Sequence, residues 1–415
     1  MTLLDPLRLR EQFPSLARRK DGRPVIFADG PGGTQVPRSV TAAMTTYLET
    51  SNANFGGTFV TSKETGDLVA QVRAGVKNLF NAAVPEEIIF GQNMTSLTFA
   101  MSRAIARTWQ AGDEIIVTAL DHDANVAPWM LAAEDRGVIV RTLPFDSHDA
   151  TLSLEKFTSL LSSRTRMVAL GYASNAVGTI IDLAPFISSA HRVGALVYVD
   201  AVHFAPHGII DVRAIDCDFL ACSAYKFCGP HIGILYGKHA LLESLTAYKV
   251  RTSSAVPPGK WETGTQNTEA LAGLRACLAY LGDLGSESSP DHLSRLALTS
   301  GMKRIVTHEA ALSQRFLAGL SEVSEARLYG ITDPARIPER TPTFGFTLKG
   351  CLPRTAAERL AERGIFVWDG HFYAKGVIDQ LGLAQHGGLI RIGFAHYNTI
   401  DEVDQIVTAV KKLAI

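Results

Sequence analysis

The sequence predicts an α/β protein, with a mostly parallel sheet covered by helices and a smaller C-terminal α+β domain. Three observations predict it. From about residue 86 to 236, short β-branched apolar runs alternate with segments of helical spacing. Beyond residue 293 the pattern changes to longer helical periods with a few scattered strands. The third is the stretch 195–237, ALVYVDAVHFAPHGIIDVRAIDCDFLACSAYKFCGPHIGILYG, which holds three buried-strand runs bounded by turn residues.

In that stretch the run 195–199 ends on an acid, Asp200, and the run 218–222 leads within four residues to Lys226. The third run, 232–236, is bracketed by Gly229, Gly233 and Gly237. Strand ends are where open α/β sheets bind ligands. A carboxylate and an amine placed there suit pyridoxal phosphate, which needs a lysine for its Schiff base and an acid to keep its pyridine nitrogen protonated. A strand ending in Asp and a Lys near a glycine are also common without any cofactor, so the pair alone leaves both readings open.

In chain order, residues 1–20 read as an amphipathic helix followed by a turn at Phe13 and Pro14, and 25–28 as a short strand. The glycine-rich DGPGGTQVP of 29–37 is an irregular loop, either approaching a ligand or simply turning. Helices follow at 38–50 and 62–80, the second with Leu68, Val72, Val76 and Leu79 on one face, and SNANFGGTFVT between them reads as a loop. A strand at 88–90 runs into a helix marked by Leu97, Met101, Ile105 and Trp109, with Gln92, Asn93, Thr95 and Ser96 at its start. Free N–H groups at such a start bind phosphate, and the same polar residues also serve as ordinary caps.

The strand 114–118 precedes ALDHDANVAPW, where His122 stands between Asp121 and Asp123. No second His or Cys lies at ligand spacing, so no metal site is expected. Helix 126–136, strand 138–143, helix 154–162 and strand 167–170 follow, with Asn175 just past the last strand end. Helix 183–193 leads to the Asp200 strand. After the lysine come a loop at 257–269, helix 270–283 and a Gly/Ser/Pro-rich linker at 284–292. The remainder reads as helix 296–320, strands 326–329 and 343–348, helix 355–363, strands 365–368 and 389–393, and helix 400–413. The expected division is an N-terminal helical segment, 1–20, packing on the small domain, then a large domain over 21–284 and a small one over 285–415.

Composition narrows the class. With 46% hydrophobic and 20% charged residues over 415 positions, the chain is that of an ordinary soluble enzyme with ample core. Forty basic against 41 acidic residues argue against nucleic acid or an anionic membrane as partner. Five cysteines without a CxxC pair fit a reducing compartment, and the N-terminus lacks a signal-peptide core, so a cytoplasmic protein is expected. No apolar stretch reaches the roughly 20 residues a membrane span needs.

Strings along nearly the whole chain resemble class V aminotransferase-fold enzymes: GDEIIVTALDHDANVAPW, SNAVGT, VDAVH, SAYKF, WETGTQN and IRIGFAHYNTIDEVD, in family order and spacing. The pattern is most like the group II cysteine desulfurases and selenocysteine lyases and their desulfurase-like kin. The resemblance implies the pyridoxal-phosphate fold type I, with a mostly parallel seven-stranded sheet in the large domain. It matches Lys226 to the Schiff-base lysine, Asp200 to the acid on the pyridine nitrogen and Asn175 to the amide on the cofactor's phenolate oxygen. His203 stands where the family usually has a glutamine near that oxygen. Gln92, Asn93 and Ser223 match the phosphate holders, aided by Tyr225 where a histidine is usual. Gly264 and Thr265 match a loop reaching the phosphate from a second subunit, which implies a homodimer with shared active sites. Arg391 matches the arginine that grips the substrate carboxylate.

Three departures bear on the reaction. The family's EHHAN reads DHDAN, so Asp123 replaces the ring-stacking histidine and His122 is its candidate substitute. The family's RxGxxC loop, whose cysteine carries the persulfide, reads WDGHFY, with Trp368 for the arginine and Tyr373 for the cysteine. The substrate-side histidine of the early loop is missing from SNANFGGTF. The expectation is an enzyme acting at the α-carbon of a small amino acid, lyase-type or desulfurase-like without a persulfide relay. Its catalytic candidates are Lys226, His122, Asp123, His371 and Tyr373. Aminotransfer and isopenicillin-epimerase-like racemisation are the alternatives. A non-catalytic binding module is disfavoured by Lys226, Asp200, Asn175 and Arg391 standing together.

Overall fold

The computed structural model describes residues 4–285 and 289–413. The first three residues of the expected N-terminal helix, 286–288 of the expected linker and 414–415 of the expected small domain lie outside that range. In chain order the first elements are α1 (Pro6–Arg10), β1 (Arg19–Lys20), β2 (Arg23–Pro24), β3 (Ile26–Phe27), α2 (Arg38–Thr50) and α3 (Val60–Phe80). The alternating region follows as β4 (Ile88–Gly91), α4 (Met94–Ala106), β5 (Glu114–Thr118), α5 (Ala127–Arg136), β6 (Ile139–Leu143) and α6 (Leu154–Leu160). It continues with β7 (Thr165–Gly171), α7 (Leu183–Arg192), β8 (Leu196–Asp200), α8 (Val212–Ile215), β9 (Phe219–Ser223), β10 (Gly233–Gly237) and α9 (His239–Ser244). Two long helices, α10 (Thr268–Asp283) and α11 (Arg295–Ser321), lead to β11 (Ala326–Tyr329), β12 (Thr343–Leu348) and α12 (Pro353–Glu362). The last elements are β13 (Ile365–Phe366), β14 (Trp368–Gly370), α13 (Lys375–Gln380), β15 (Leu389–Gly393) and α14 (Ile400–Lys411).

Seven strands form the main sheet in the order β4-β10-β9-β8-β7-β5-β6. Pairs from β9 to β6 are parallel, while β10 runs antiparallel to both its neighbours. The strands are apolar on both faces because helices cover both faces. Alternation sorts them: Val197, Val199, Val168, Leu170, Leu220 and Ile234 enter one core, and Tyr198, Met167, Ala169, Phe219 and Leu235 enter the other. A second sheet, β11-β12-β15-β14, has a core of its own with α12, α14 and the later half of α11.

Several elements differ from expectation for local reasons. The N-terminal helix is only five residues long; Asp5 Oδ1 caps it by accepting from Leu7 N at 3.1 Å and Arg8 N at 3.3 Å. Pro14 begins a separate turn of 3₁₀ helix, since proline has no N–H to continue the first. This segment packs Leu4, Leu9, Phe13 and Leu16 into the large core, while Arg10 pairs with Glu402 at 2.8 Å. The expected strand 365–368 is two strands. β13 pairs with β3 in parallel, and β14 pairs with β15. α11 crosses from one core to the other, with Leu298, Met302 and Ile305 in the first and Leu312, Phe316 and Leu320 in the second. No helix among the described residues is long and apolar enough to cross a membrane.

Candidate active site

Three parallel strands lie side by side here: β7 and β8 end opposite each other at Gly171 and Asp200, and β9, whose Ala221 lies opposite Asp200, runs two residues further to Ser223. The segments leaving these ends, and the one leaving β5, bring Asp121, His122, Asn175, Asp200, His203 and Lys226 to one edge of the sheet. Lys226 is buried, its Nζ donates to Pro31 O, and the ammonium lies 5.1 Å from the Tyr225 ring. Burial, and next the Arg391 charge, pull its pKa from 10.5 down to about 7, against an upward pull from Asp200. The amine therefore has a sizeable neutral, nucleophilic fraction near neutral pH. Asp200 accepts from Val202 N at 2.8 Å, and burial lifts its carboxyl to about 6.

Behind Asp200 stands a second acid, Asp121. Its oxygens accept from Thr118 Oγ1 at 2.9 Å, Gly171 N at 2.8 Å and Asn125 Nδ2 at 2.9 Å. Burial raises it to about 7, and the Asp200 charge adds to the rise. His122 is kept neutral, lowered to about 4 by burial and then by the Lys226 and Arg391 charges. Its Nδ1 accepts from Ala124 N at 3.0 Å, so the ring proton sits on Nε2. The imidazole stacks on Tyr373 at 5.5 Å.

The loop after β14 is tied down by its backbone. Phe372 and Tyr373 both adopt left-handed φ, 53° and 57°. Phe372 O accepts from Asn175 Nδ2 at 2.9 Å, and Tyr373 O accepts from Asp123 N at 2.7 Å. The Phe372 ring lies 4.2 Å from the Arg391 guanidinium. His371 and Tyr373 themselves are exposed, with Tyr373 N donating to His371 Nδ1 at 3.0 Å. Arg391, buried on β15, gives Nη1 to Asn175 O at 2.9 Å, and burial lowers its pKa to about 9. His203 places Nε2 between the hydroxyls of Thr341 at 3.2 Å and Thr343 at 3.0 Å. Burial keeps that ring neutral.

At the start of α4, Asn93 accepts from Ser96 N at 2.9 Å, and Ser223 Oγ accepts from Met94 N at 3.0 Å, leaving the hydroxyl hydrogen free. Gln92, Asn93 and Thr95 are exposed there. Tyr225 stacks on His231 at 4.9 Å, with the rings 10° from parallel. Gly264 and Thr265 are exposed; the adjacent Gln266 has both side-chain polar atoms buried without a partner.

Among the described residues, four of the buried polar atoms without partners belong to this site: Asp29 Oδ1, Asn175 Oδ1, His203 Nδ1 and Arg391 Nε. The charges of Lys226 and Arg391 reach into this same group of residues. Buried polar atoms in folded proteins are nearly always satisfied, so such a concentration marks a place built for a polar ligand. With the amine, the acid and the exposed polar residues at the start of α4 beside it, the residues fit pyridoxal phosphate. Sequence reasoning missed Asp29, Asp121 and Phe372. The glycine-rich DGPGG loop was the one signal for the first, and Asp121 stood in the DHDAN string without an assigned role; nothing local marked Phe372, which matters through contacts distant in the chain.

Residues 26–406 match the family model for class V aminotransferases. A cysteine desulfurase of Synechococcus elongatus is 30% identical over 98% of this chain, and the chain spans 63% of that relative's length. The aminotransferase-like protein FGM3 of Gibberella zeae is 32% identical over 97% of each chain. The crystal structure of the cysteine desulfurase CsdA from Escherichia coli superposes with a TM-score of 0.84 at 28% identity, covering 99% of this chain and 98% of that one. With a match that spans both sheets, the chain belongs to the class V aminotransferase family, whose enzymes depend on pyridoxal phosphate.

Proposed function

We propose that the chain catalyses a reaction at the α-carbon of an amino acid, of the lyase or desulfurase-like type, without a persulfide relay. One observation carries this reading: four of the five thiols are buried, and Tyr373 stands where the desulfurase string has its cysteine. Cys217, Cys222, Cys228 and Cys277 are buried, and burial pushes the Cys228 thiol up to about 12 and the other three upward as well. A thiol at that value is ionised at neutral pH in only about one molecule in 10⁵, too few to attack sulfur. Cys351, half-buried, follows β12 at the end away from Thr343, whose hydroxyl meets His203.

Bound pyridoxal phosphate supplies an electron sink for charge developing at the substrate α-carbon. In this reading Asp200 would hold the pyridine nitrogen protonated, and Asn175 and His203 would bond the phenolate oxygen. Ser223, Gln92, Asn93 and Tyr225 hold the phosphate, joined by Gly264 and Thr265 from a second copy of the chain in a homodimer. Lys226 holds the cofactor and then moves the proton at the substrate α-carbon. Arg391 takes the α-carboxylate on its unpartnered Nε edge, a geometry suited to a fork. His122 presents Nε2–H, and with Asp123, His371 and Tyr373 it forms the acid–base group above the site. Four buried, unpaired thiols suit a reducing, cytoplasmic compartment.

Aminotransfer is the second reading, supported by a 32% identity to a relative described as aminotransferase-like, against 30% to the Synechococcus desulfurase; racemisation would use the same residues. The test is incubation of the holoprotein with L-cysteine followed by mass spectrometry of the intact protein under non-reducing conditions. No sulfur adduct is expected. A persulfide that disappears in a single Cys→Ser variant would overturn the reading and identify the acceptor.

A further inference from the structure

A groove of about 520 Å³ opens beside the site, lined in part by Asp29, Gly32, Gly33, Tyr225, His231 and Trp368. Aromatic rings stand on two sides of it, and Val36, Val40 and Met44 also line it. Trp368 is 50% exposed and lies so close over Gly32 that a Cβ there would meet the indole nitrogen at 2.3 Å. On the other side Gly33 abuts the Tyr225 ring, a Cβ there meeting it at 3.1 Å, and Tyr225 stacks on His231. The two glycines thus form a floor between an indole and a phenol, and any residue with a side chain would displace one of the rings.

The acid in this groove is unspent. Asp29 Oδ1 is buried without a hydrogen-bond partner. Asp29 and Tyr225 both act on the Arg391 charge, so the groove adjoins the carboxylate anchor. It also adjoins the amine, because Lys226 Nζ donates to Pro31 O in the same glycine loop. Burial lifts the Asp29 carboxyl to about 6 against the pull of the Arg391 charge, so when a substrate carboxylate neutralises Arg391 the acid must either take up a proton or meet another cation. A second positive charge on the ligand would restore the balance, and the electron-rich faces of Trp368 and Tyr225 favour the same sign.

We propose that this groove receives the cationic end of the substrate side chain, so that the amino acid acted upon is a basic one. The inference rests on the reading of the site as one that works at an amino-acid α-carbon, and it adds the substrate class.

The experiment measures dissociation constants for the holoprotein, by absorbance titration and calorimetry, in two matched pairs: L-arginine with L-citrulline, and L-lysine with L-norleucine. Each pair differs chiefly in the terminal charge. Wild type should prefer the basic member by about tenfold or more. In Asp29→Asn that ratio should fall towards unity. In Trp368→Arg, a half-exposed position where misfolding is not expected to mask the result, it should fall below unity. Equal or tighter binding of citrulline and norleucine by wild type overturns the inference while leaving α-carbon chemistry standing, as does a ratio unmoved by both substitutions. If no amino acid of any kind perturbs the cofactor absorbance, the underlying reading falls and takes this inference with it.

Discussion

Lys226 shows how much of a residue's chemistry is set by its surroundings. An exposed lysine is protonated at neutral pH; this one is brought down to about 7 by burial and the neighbouring Arg391. Only the neutral amine attacks an aldehyde. Attachment of pyridoxal phosphate to the apoprotein should therefore be slow below pH 7, reach half its maximum near pH 7, and level off above it. A rate that keeps climbing to pH 10 would show that the amine is not perturbed. In Lys226→Ala, borohydride should fix no cofactor to the protein. Lys226, Asp200, Asn175 and Arg391 could be singled out from the sequence because each stands at or just past an apolar run, or within such a run, in a recognisable string. Asp29 and Asp121 could not be weighted in the same way. Their character comes from burial, from Arg391 more than 350 positions away, and from Asp200 across the Gly171 strand end.

At the scale of elements, the site is an intersection of strand ends, one helix start and one loop. The helix start depends on a close approach: a Cβ on Gly233 of β10 would lie 2.4 Å from the backbone carbon of Asn93, the cap of α4. Gly233→Ala must push the strand and the helix apart. We expect a loss of about 2–3 kcal/mol of stability, read from the denaturation midpoint, together with weaker cofactor binding. An unchanged midpoint and affinity would mean that α4 is free to shift. The glycines around the lysine strand were visible in the sequence, yet their reason was not, since Asn93 lies 140 residues earlier. The loop at 371–374 was likewise legible only as a departure from the desulfurase string. That its carbonyls are held by Asn175 and Asp123, with rings stacked on Arg391 and His122, required the two sheets to be brought together.

At the scale of the whole molecule, β3 completes a pair with β13, and α11 runs through both cores, so the two sheets are mechanically joined on more than one side. One loop looks outward instead. Gly264 and Thr265 are exposed, while Gln266 buries two polar atoms that no group satisfies. A second copy of the chain would use this loop, and size-exclusion chromatography should show a dimer whose dissociation lowers cofactor affinity. A monomer holding the cofactor as tightly as the assembled protein would refute this. The alternation of apolar runs and helical periods was enough to establish a mostly parallel sheet followed by an α+β region, because period and burial are local properties of the chain. The strings around Lys226 and Asp200 were enough for the cofactor. Tertiary structure alone decided which acids lose their solvent, which polar atoms are left waiting for a ligand, and that an indole and a carboxylate share one groove. Those properties depend on desolvation and on through-space charge, and both are set by residues hundreds of positions apart.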